Sequence, residues 1–255
     1  MDLLVARLRS AGCVFAEEEA RALRAAAGSS EELEAMVARR VAGEPLELVL
    51  GWAEFAGLRI RVAAGVFVPR LRSTLMVRLA VACLRRDRPI EGPVVVDLGC
   101  GTGAIGAAVA DRVPGAEVWA VDIDPAAVAC ARLNLPPARV LHGDLFAPLP
   151  AEVRAHVICA NAPYVPTDAI ALMPPEAREH EHHVALDGGP DGLDVQRRVI
   201  AAAPARLVPG GTLLVETGRA QADATAALME AAALTVTIHT DDEIDGTVVG
   251  GRATG

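Results

Sequence analysis

Short apolar runs separated by polar, helix-forming segments organise most of this chain. Residues 2–42 read as three short helices. Ser29-Ser30-Glu31-Glu32 offers a capping box for the third, and Gly43 followed by Pro45 ends it. The period then changes. Leu58, Ile60 and Val62 alternate with Arg59 and Arg61 behind Gly57, which predicts one arm of a hairpin beginning near Leu46. A helix is expected from about Ser73 to Arg86. From Gly92 onward, strand and helix patterns alternate. The strand runs are Val94–Leu98, Glu117–Val121, Ala138–His142, Ala155–Ala160 and Gly211–Glu216, then Leu234–Ile238 and Thr247–Gly250. Asp124-Pro125 reads as an N-cap with proline in the first turn of the helix after the second run. This alternation predicts an α/β fold with a doubly wound, mostly parallel sheet of seven strands, its last two runs forming an antiparallel hairpin at one edge. The expected organisation is a small helical N-terminal cap over 1–43, a linking hairpin over 44–69 and the sheet domain over 70–255.

One run carries the densest chemical signal. Val94-Val95-Val96-Asp97-Leu98 is a buried-strand pattern with an acid near its end, and Gly99, Gly101 and Gly103 follow at alternate positions. Ala104-Ile105-Gly106-Ala107-Ala108-Val109-Ala110 then reads as a small-residue helix able to lie close on a sheet. Strand, tight glycine turn and helix make a nucleotide-type site at the carboxyl end of a sheet. Gly101-Thr102-Gly103-Ala104-Ile105-Gly106 also matches the dinucleotide fingerprint, so Asp97 has to discriminate. A carboxylate there repels a pyrophosphate, which seeks bare N–H groups at a helix N-terminus, and it attracts an ammonium. S-adenosylmethionine carries that ammonium and no phosphate, and the turn is read as its site rather than as a NAD site. Asp122, ending the next run, is where a carboxylate can hold two ribose hydroxyls. The plainer alternative for Asp97, a turn-capping aspartate, is outweighed by the glycines together with Asp122.

Composition narrows the setting. A chain of 255 residues can hold one large α/β domain and a small appendage. The five cysteines, Cys13, Cys83, Cys100, Cys130 and Cys159, are odd in number and scattered without a Cys-x-x-Cys pair, which reads as reduced thiols. With no signal pattern and no apolar run long enough to span a bilayer, a cytoplasmic protein without membrane association is expected. All 24 basic residues are arginine. The net charge of −9 is uneven: residues 1–92 carry +2 and residues 93–255 carry −11. An acidic main domain is a poor nucleic-acid platform, so no stable binding to DNA or RNA is expected. His180-Glu181-His182-His183 resembles a metal cluster, but its residues are contiguous where zinc ligands are normally spread, so a solvated polar run is expected and no metal site.

The strand–helix rhythm breaks between Asn161 and about Asp194, an interval rich in proline and glycine. Loops of that length inside a domain are usually functional, and this one leaves the carboxyl end of a strand beside the glycine turn. It begins Ala160-Asn161-Ala162-Pro163-Tyr164, which is similar to the Asn-Pro-Pro-Tyr motif of methyltransferases acting on planar amide or amino nitrogens. The order of motifs resembles the release-factor glutamine N5-methyltransferases (HemK-like enzymes), a family of class I, Rossmann-like, S-adenosylmethionine-dependent enzymes. The resemblance runs from about Gly43 to the C-terminus. It takes in Gly43-Glu44-Pro45-Leu46, Val68-Pro69-Arg70, Asp97–Gly103, Gly143-Asp144-Leu145-Phe146, Asn161–Tyr164, Ala185–Leu193 and Gly246–Arg252.

Three departures stand out. Ala162 replaces the family's first proline. Pro69-Arg70-Leu71-Arg72-Ser73-Thr74 replaces Pro-Arg-Pro-Glu-Thr-Glu and loses both glutamates. The helical N-terminal part is shorter than usual. The resemblance implies that Asp144 accepts from the adenine amino group with Phe146 near the ring, and that Ile123 and Leu145 join Asp97, Gly99, Gly101, Gly103, Asp122 and Asn161 in cofactor binding.

The chemistry explains the residue types. An amide nitrogen is a poor nucleophile because its lone pair is delocalised. An Asn161 side-chain oxygen and a neighbouring backbone carbonyl can accept its two N–H bonds and aim the nitrogen at a sulfonium methyl. Ala162 keeps that carbonyl, Pro163 stiffens the turn, and Tyr164, the single tyrosine, can stack on the flat amide. The expected activity is methyl transfer from S-adenosylmethionine to a protein glutamine, with S-adenosylhomocysteine as product and the Gly-Gly-Gln of a peptide-chain release factor as acceptor. Amino-group methylation of adenine or of another protein, and cofactor binding without catalysis, are the competing readings.

Overall fold

In a computed structural model, residues 2–86, 91–173, 178 and 180–254 are described. The chain opens with helices α1 (Leu3–Ser10), α2 (Ala16–Ala26) and α3 (Ser30–Val41), as the pattern predicts. Ser29 Oγ accepts the Glu32 N–H at 3.1 Å, but the Glu32 carboxylate reaches back to Gly28 N–H rather than to Ser29, so the box closes one residue early. The hairpin does not begin near Leu46. Pro45, with its fixed φ, leads instead into a short helix α4 (Leu46–Leu50), because Val49 and its apolar neighbours bury against Leu8, Leu23 and Val37 of the helical cluster. The hairpin proper is β1 (Trp52–Phe55) and β2 (Leu58–Arg61), antiparallel, with Phe55 and Ile60 in the core of the main sheet. Asn134 latches it to the glycine turn: its side chain pairs with the Arg61 N–H and C=O and donates to Thr102 C=O at 2.9 Å.

The sheet domain follows with α5 (Thr74–Arg85), β3 (Val94–Leu98), α6 (Ala104–Arg112), β4 (Glu117–Asp122), α7 (Pro125–Ala131), β5 (Val140–His142), β6 (Ala155–Ala160), α8 (Asp194–Ala202), β7 (Leu207–Glu216), α9 (Ala222–Ala231), β8 (Leu234–Asp241) and β9 (Gly246–Ala253). The third run is shorter than expected, because Pro136-Pro137 cannot donate to a ladder and residues Pro137–Arg139 form a 3-10 turn instead. Seven strands lie in the order β5-β4-β3-β6-β7-β9-β8, parallel through β7, with β9 antiparallel between β7 and β8. Alternate side chains bury on two faces. Val95, Cys159 and Leu214 pack with α5–α7, while Val96, Ile158 and Leu213 pack with α8 and α9. Among the described residues no helix is long and apolar enough to cross a membrane.

This order places a topological switch point between β3 and β6. The chain leaves β3 toward one edge and returns to β3's other side as β6, so their carboxyl ends, Leu98 and Ala160, are register partners. Ligand crevices in open α/β sheets form at such points. The turn above β3 depends on backbone freedom: Gly103 has φ +77°, and a Cβ there would meet Leu135 Cδ1 at 2.8 Å. Gly103→Ala should therefore lower folding stability by about 1–3 kcal/mol through combined strain and overpacking. Calorimetric unfolding of the variant checks this, and an unchanged Tm would contradict it.

Candidate active site

A cavity of about 230 Å³ opens over the switch point, walled by the glycine turn, the end of β4 and the loop after β6. Of the residues singled out in the sequence, Gly99, Gly101, Asp122, Ile123, Asp144, Leu145, Asn161, Ala162, Pro163 and Tyr164 line it. Gly99 has φ +63°, and a Cβ on it would lie 3.3 Å from the Asn161 carbonyl oxygen, so glycine lets the two strand ends close on each other. Asp122 is half-buried and holds the turn: its Oδ2 accepts Gly101 N–H at 2.8 Å and its Oδ1 accepts Asp124 N–H at 2.9 Å. Asp124 in turn caps α7 through Ala126 N–H, as its sequence pattern predicts. Leu145 lines the cavity with φ +50°, a strained conformation for a branched side chain.

Three residues lie elsewhere than expected. Asp97 is 1% exposed and sits under the turn rather than in the cavity wall. Its Oδ2 accepts Gly106 N–H of α6 at 2.9 Å, and its Oδ1 has no hydrogen-bond partner among the described residues. Gly103 faces Leu135, away from the cavity. Phe146 does not border the cavity but packs into the core with Val96, Val121 and Leu149, because the positive φ at Leu145 turns the following residue inward. Asp144 does reach the cavity and is paired with Arg198.

The loop after β6 is fixed by contacts that the sequence does not advertise. Ala162 is buried, and the Asn161 side-chain Nδ2 donates to Ser73 Oγ at 3.2 Å. Tyr164 directs its hydroxyl toward Arg72 and Glu216, and burial pushes its pKa up to about 12. Gln221 Nε2 donates to Tyr164 C=O at 3.0 Å, the end of a buried chain running Thr225, Gln196, Thr217 and Gln221. Glu181 corrects the expectation of a solvated run. His182 and His183 are exposed, but Glu181 is buried, accepting Val68 N–H at 3.1 Å and the Arg70 guanidinium at 2.6 Å. This ties the later part of the loop to the segment below the cavity, and His182 adds a bond to Asp124 at 2.6 Å. Residues 174–177 and 179 of the loop lie outside the described residues.

A mostly parallel seven-stranded sheet with a glycine turn at its switch point, an acid at each of the first two strand ends and an Asn-x-Pro-Tyr loop beside them define a class I methyltransferase. The family model "Methyltransferase small domain" matches residues 58–243. The chain is 42% identical over 200 residues to a release factor glutamine methyltransferase of Geobacter sulfurreducens, covering 76% of this chain and 68% of that protein. It is 36% identical to one of Bradyrhizobium diazoefficiens, over 91% of this chain and 86% of the other. Among solved structures, a T. thermophilus 16S rRNA N2 G1207 methyltransferase in complex with AdoMet and guanosine superposes with a TM-score of 0.54. It is 22% identical and covers 79% of this chain and 49% of that one, which shows the shared fold alone. The chain belongs to the release factor glutamine methyltransferase family, a family of S-adenosylmethionine-dependent enzymes.

Asp97 makes the site's charge pH-dependent. Desolvation first, and the nearby Asp122 charge after it, push its pKa from 3.8 up to about 7, against the pull of the Gly106 N–H. A carboxyl whose pKa is raised by folding contributes stability that is complete below its unfolded pKa and is lost as pH rises through the folded one. The cofactor-free protein should therefore lose stability between about pH 4 and pH 7 on account of this group. Asp97→Asn should remove that slope, so the Tm gap between variant and wild type shifts in the variant's favour from pH 5 to pH 8. Parallel Tm curves would show that Asp97 does not titrate there.

Proposed function

We propose that this protein transfers the methyl group of S-adenosylmethionine to the side-chain amide nitrogen of a protein glutamine, that of the Gly-Gly-Gln sequence in a peptide-chain release factor. The observation that carries the reading is Asn161. Its side-chain amide opens into the same cavity as the glycine turn and is held from behind by Ser73. The family's named activity supports the acceptor, and the acidic sheet domain favours a protein over a nucleic acid.

The residues present fit the cofactor. Asp97 Oδ1 is a buried carboxyl oxygen without a hydrogen-bond partner among the described residues, set beneath the glycine turn, and when ionised it attracts an ammonium through its charge rather than as part of the cavity wall. Asp122, at the end of β4, offers lone pairs to ribose hydroxyls beyond the two backbone N–H groups it already accepts. Gly99, Gly101, Ile123, Leu145 and Asp144 complete the lining that would hold the group, while Gly103 contributes through the shape of the turn. When bound, S-adenosylmethionine supplies an electrophilic methyl on a sulfonium and leaves as S-adenosylhomocysteine.

The protein's own residues do the positioning. Asn161 Oδ1 and the Ala162 carbonyl accept the two N–H bonds of the glutamine amide, and the Tyr164 ring covers its face. Held this way, the amide plane is fixed and the nitrogen is aimed along one line, which replaces a bimolecular search by a single oriented encounter. Ala162 serves in place of the family's proline because only its carbonyl is used, and burial of its methyl keeps that carbonyl in place.

Asn161→Ala should reduce methyl transfer by about 100-fold or more while cofactor affinity changes less than about threefold, since the lost bonds act on the acceptor. Gly-Gly-Gln peptides should gain one methyl on the glutamine side chain, whereas Gly-Gly-Asn peptides, one methylene short, should not. Mass spectrometry with calorimetry of cofactor binding reads both arms. Wild-type methylation by Asn161→Ala would remove this residue from the reaction.

A further inference from the structure

We propose that Asn134 is a positioning residue for the cofactor: its side-chain amide ties the glycine turn to the β1–β2 hairpin and so fixes how two parts of the cavity wall stand to each other. The proposal deepens the cofactor reading above and rests on it for the binding consequence.

A regular helix would bond the Gly106 N–H to the carbonyl four residues back, at Thr102. Here that N–H goes instead to Asp97 Oδ2 at 2.9 Å, beneath the turn. Thr102 is 2% exposed, and a buried carbonyl left without a partner is costly. Asn134 Nδ2 supplies the bond, at 2.9 Å. The other hydrogen of the same NH2 goes to Arg61 C=O at 3.0 Å, and Asn134 Oδ1 accepts the Arg61 N–H at 2.9 Å. One side-chain amide thus reproduces for β2 the donor–acceptor pair that a neighbouring strand would offer.

The amide can face only one way. Reversed, it would set its NH2 against the Arg61 N–H and its oxygen against two carbonyls. Cys130 Sγ also approaches the Arg61 carbonyl, at 3.4 Å, as a weaker neighbour. Leu135, next in the chain, is buried and packs against Gly103, where an added Cβ would meet it at 2.8 Å. Two successive residues beyond α7 therefore support the turn, one by hydrogen bonds and one by packing.

Both bodies that Asn134 joins line the cavity. Gly99, Gly101 and Thr102 border it from the turn, and Phe55, Val66 and Phe67 border it from the hairpin and the segment after it. They meet closely, since a Cβ on Gly101 would lie 3.9 Å from the Phe67 carbonyl oxygen. On its β4 side the turn is tied separately, by Cys100 N–H to Val121 C=O at 3.1 Å and by Gly101 N–H to Asp122. With Asn134 in place the turn is held on the hairpin side as well. Without it, cofactor binding would carry the cost of ordering the turn against the hairpin.

Amide exchange in the cofactor-free protein reads the tie, and calorimetry with S-adenosylhomocysteine reads its consequence. Asn134→Ala and Asn134→Leu both remove the three bonds, and the leucine keeps the volume. In each, the Arg61 N–H should exchange about tenfold faster or more. Kd for S-adenosylhomocysteine should rise about tenfold in both, while kcat for a Gly-Gly-Gln peptide at saturating cofactor stays within about twofold of wild type. Val37→Ala, in the helical cluster away from the cavity, should lower Tm and leave that Kd unchanged. Unchanged Arg61 exchange in both Asn134 variants would overturn the tie, and faster exchange with unchanged Kd would overturn its positioning role. A wild-type protein with no affinity for S-adenosylhomocysteine would sink the cofactor reading, and the positioning role with it, whatever Arg61 exchange shows.

Discussion

The contact on which the site depends is between backbone and backbone. Gly99 and the carbonyl of Asn161 stand so close that a side chain at 99 would press on that oxygen at 3.3 Å. Because β3 and β6 pair in register to their last residues, the turn after one and the loop after the other leave the sheet side by side. The glycine turn and the Asn161–Tyr164 loop are built on those two exits, and Asp122 and Asp144 reach the same cavity from the ends of β4 and β5. The sheet's own hydrogen bonds fix their separation, so the cavity has its shape before any ligand enters.

The site is also costly in charge. Asp97 is buried with one oxygen unpartnered, Glu216 is buried with neither oxygen hydrogen-bonded among the described residues, and Asp122 is half-buried with its oxygens accepting two backbone N–H groups. Desolvation pushes all three carboxyls toward higher pKa. Unmatched buried acids lower stability, and they persist where a cation or a hydroxyl hydrogen can repay them. Small residues make room for this arrangement: Gly106 brings α6 within reach of Asp97, where a Cβ would crowd Val118 at 2.9 Å.

The departures from the family pattern have local accounts. Ala162 is buried and presents a carbonyl as proline would. Arg72, where the family carries a glutamate, pairs with Glu216 and so places a positive charge against an acid at the base of the loop. Ser73 keeps the hydroxyl that the family's threonine would supply at the same position, and that hydroxyl meets Asn161.

The doubly wound sheet, its glycine turn and the edge hairpin were legible in the sequence, because buried parallel strands must be continuous apolar runs and a turn too tight for side chains must be glycine. The Asn161–Tyr164 loop and Asp122 were legible for the same reason, each ending a run where the chain has to leave the sheet. Other features were decided by tertiary structure alone. Leu46–Leu50 became helix because Val49 found a helical cluster to bury against, an outcome that local alternation does not encode. Phe146 entered the core and Asp97 sank below the turn, since which face a side chain takes depends on the φ of Leu145 and on the depth of α6. Glu181, in a run of polar residues, was buried by Val68 and Arg70 from more than a hundred positions away. Gln196, Gln221, Ser73 and Glu216 carry no motif. A lone polar residue acquires its meaning only from the donor or acceptor that folding brings opposite it, and that pairing is a property of the packed molecule.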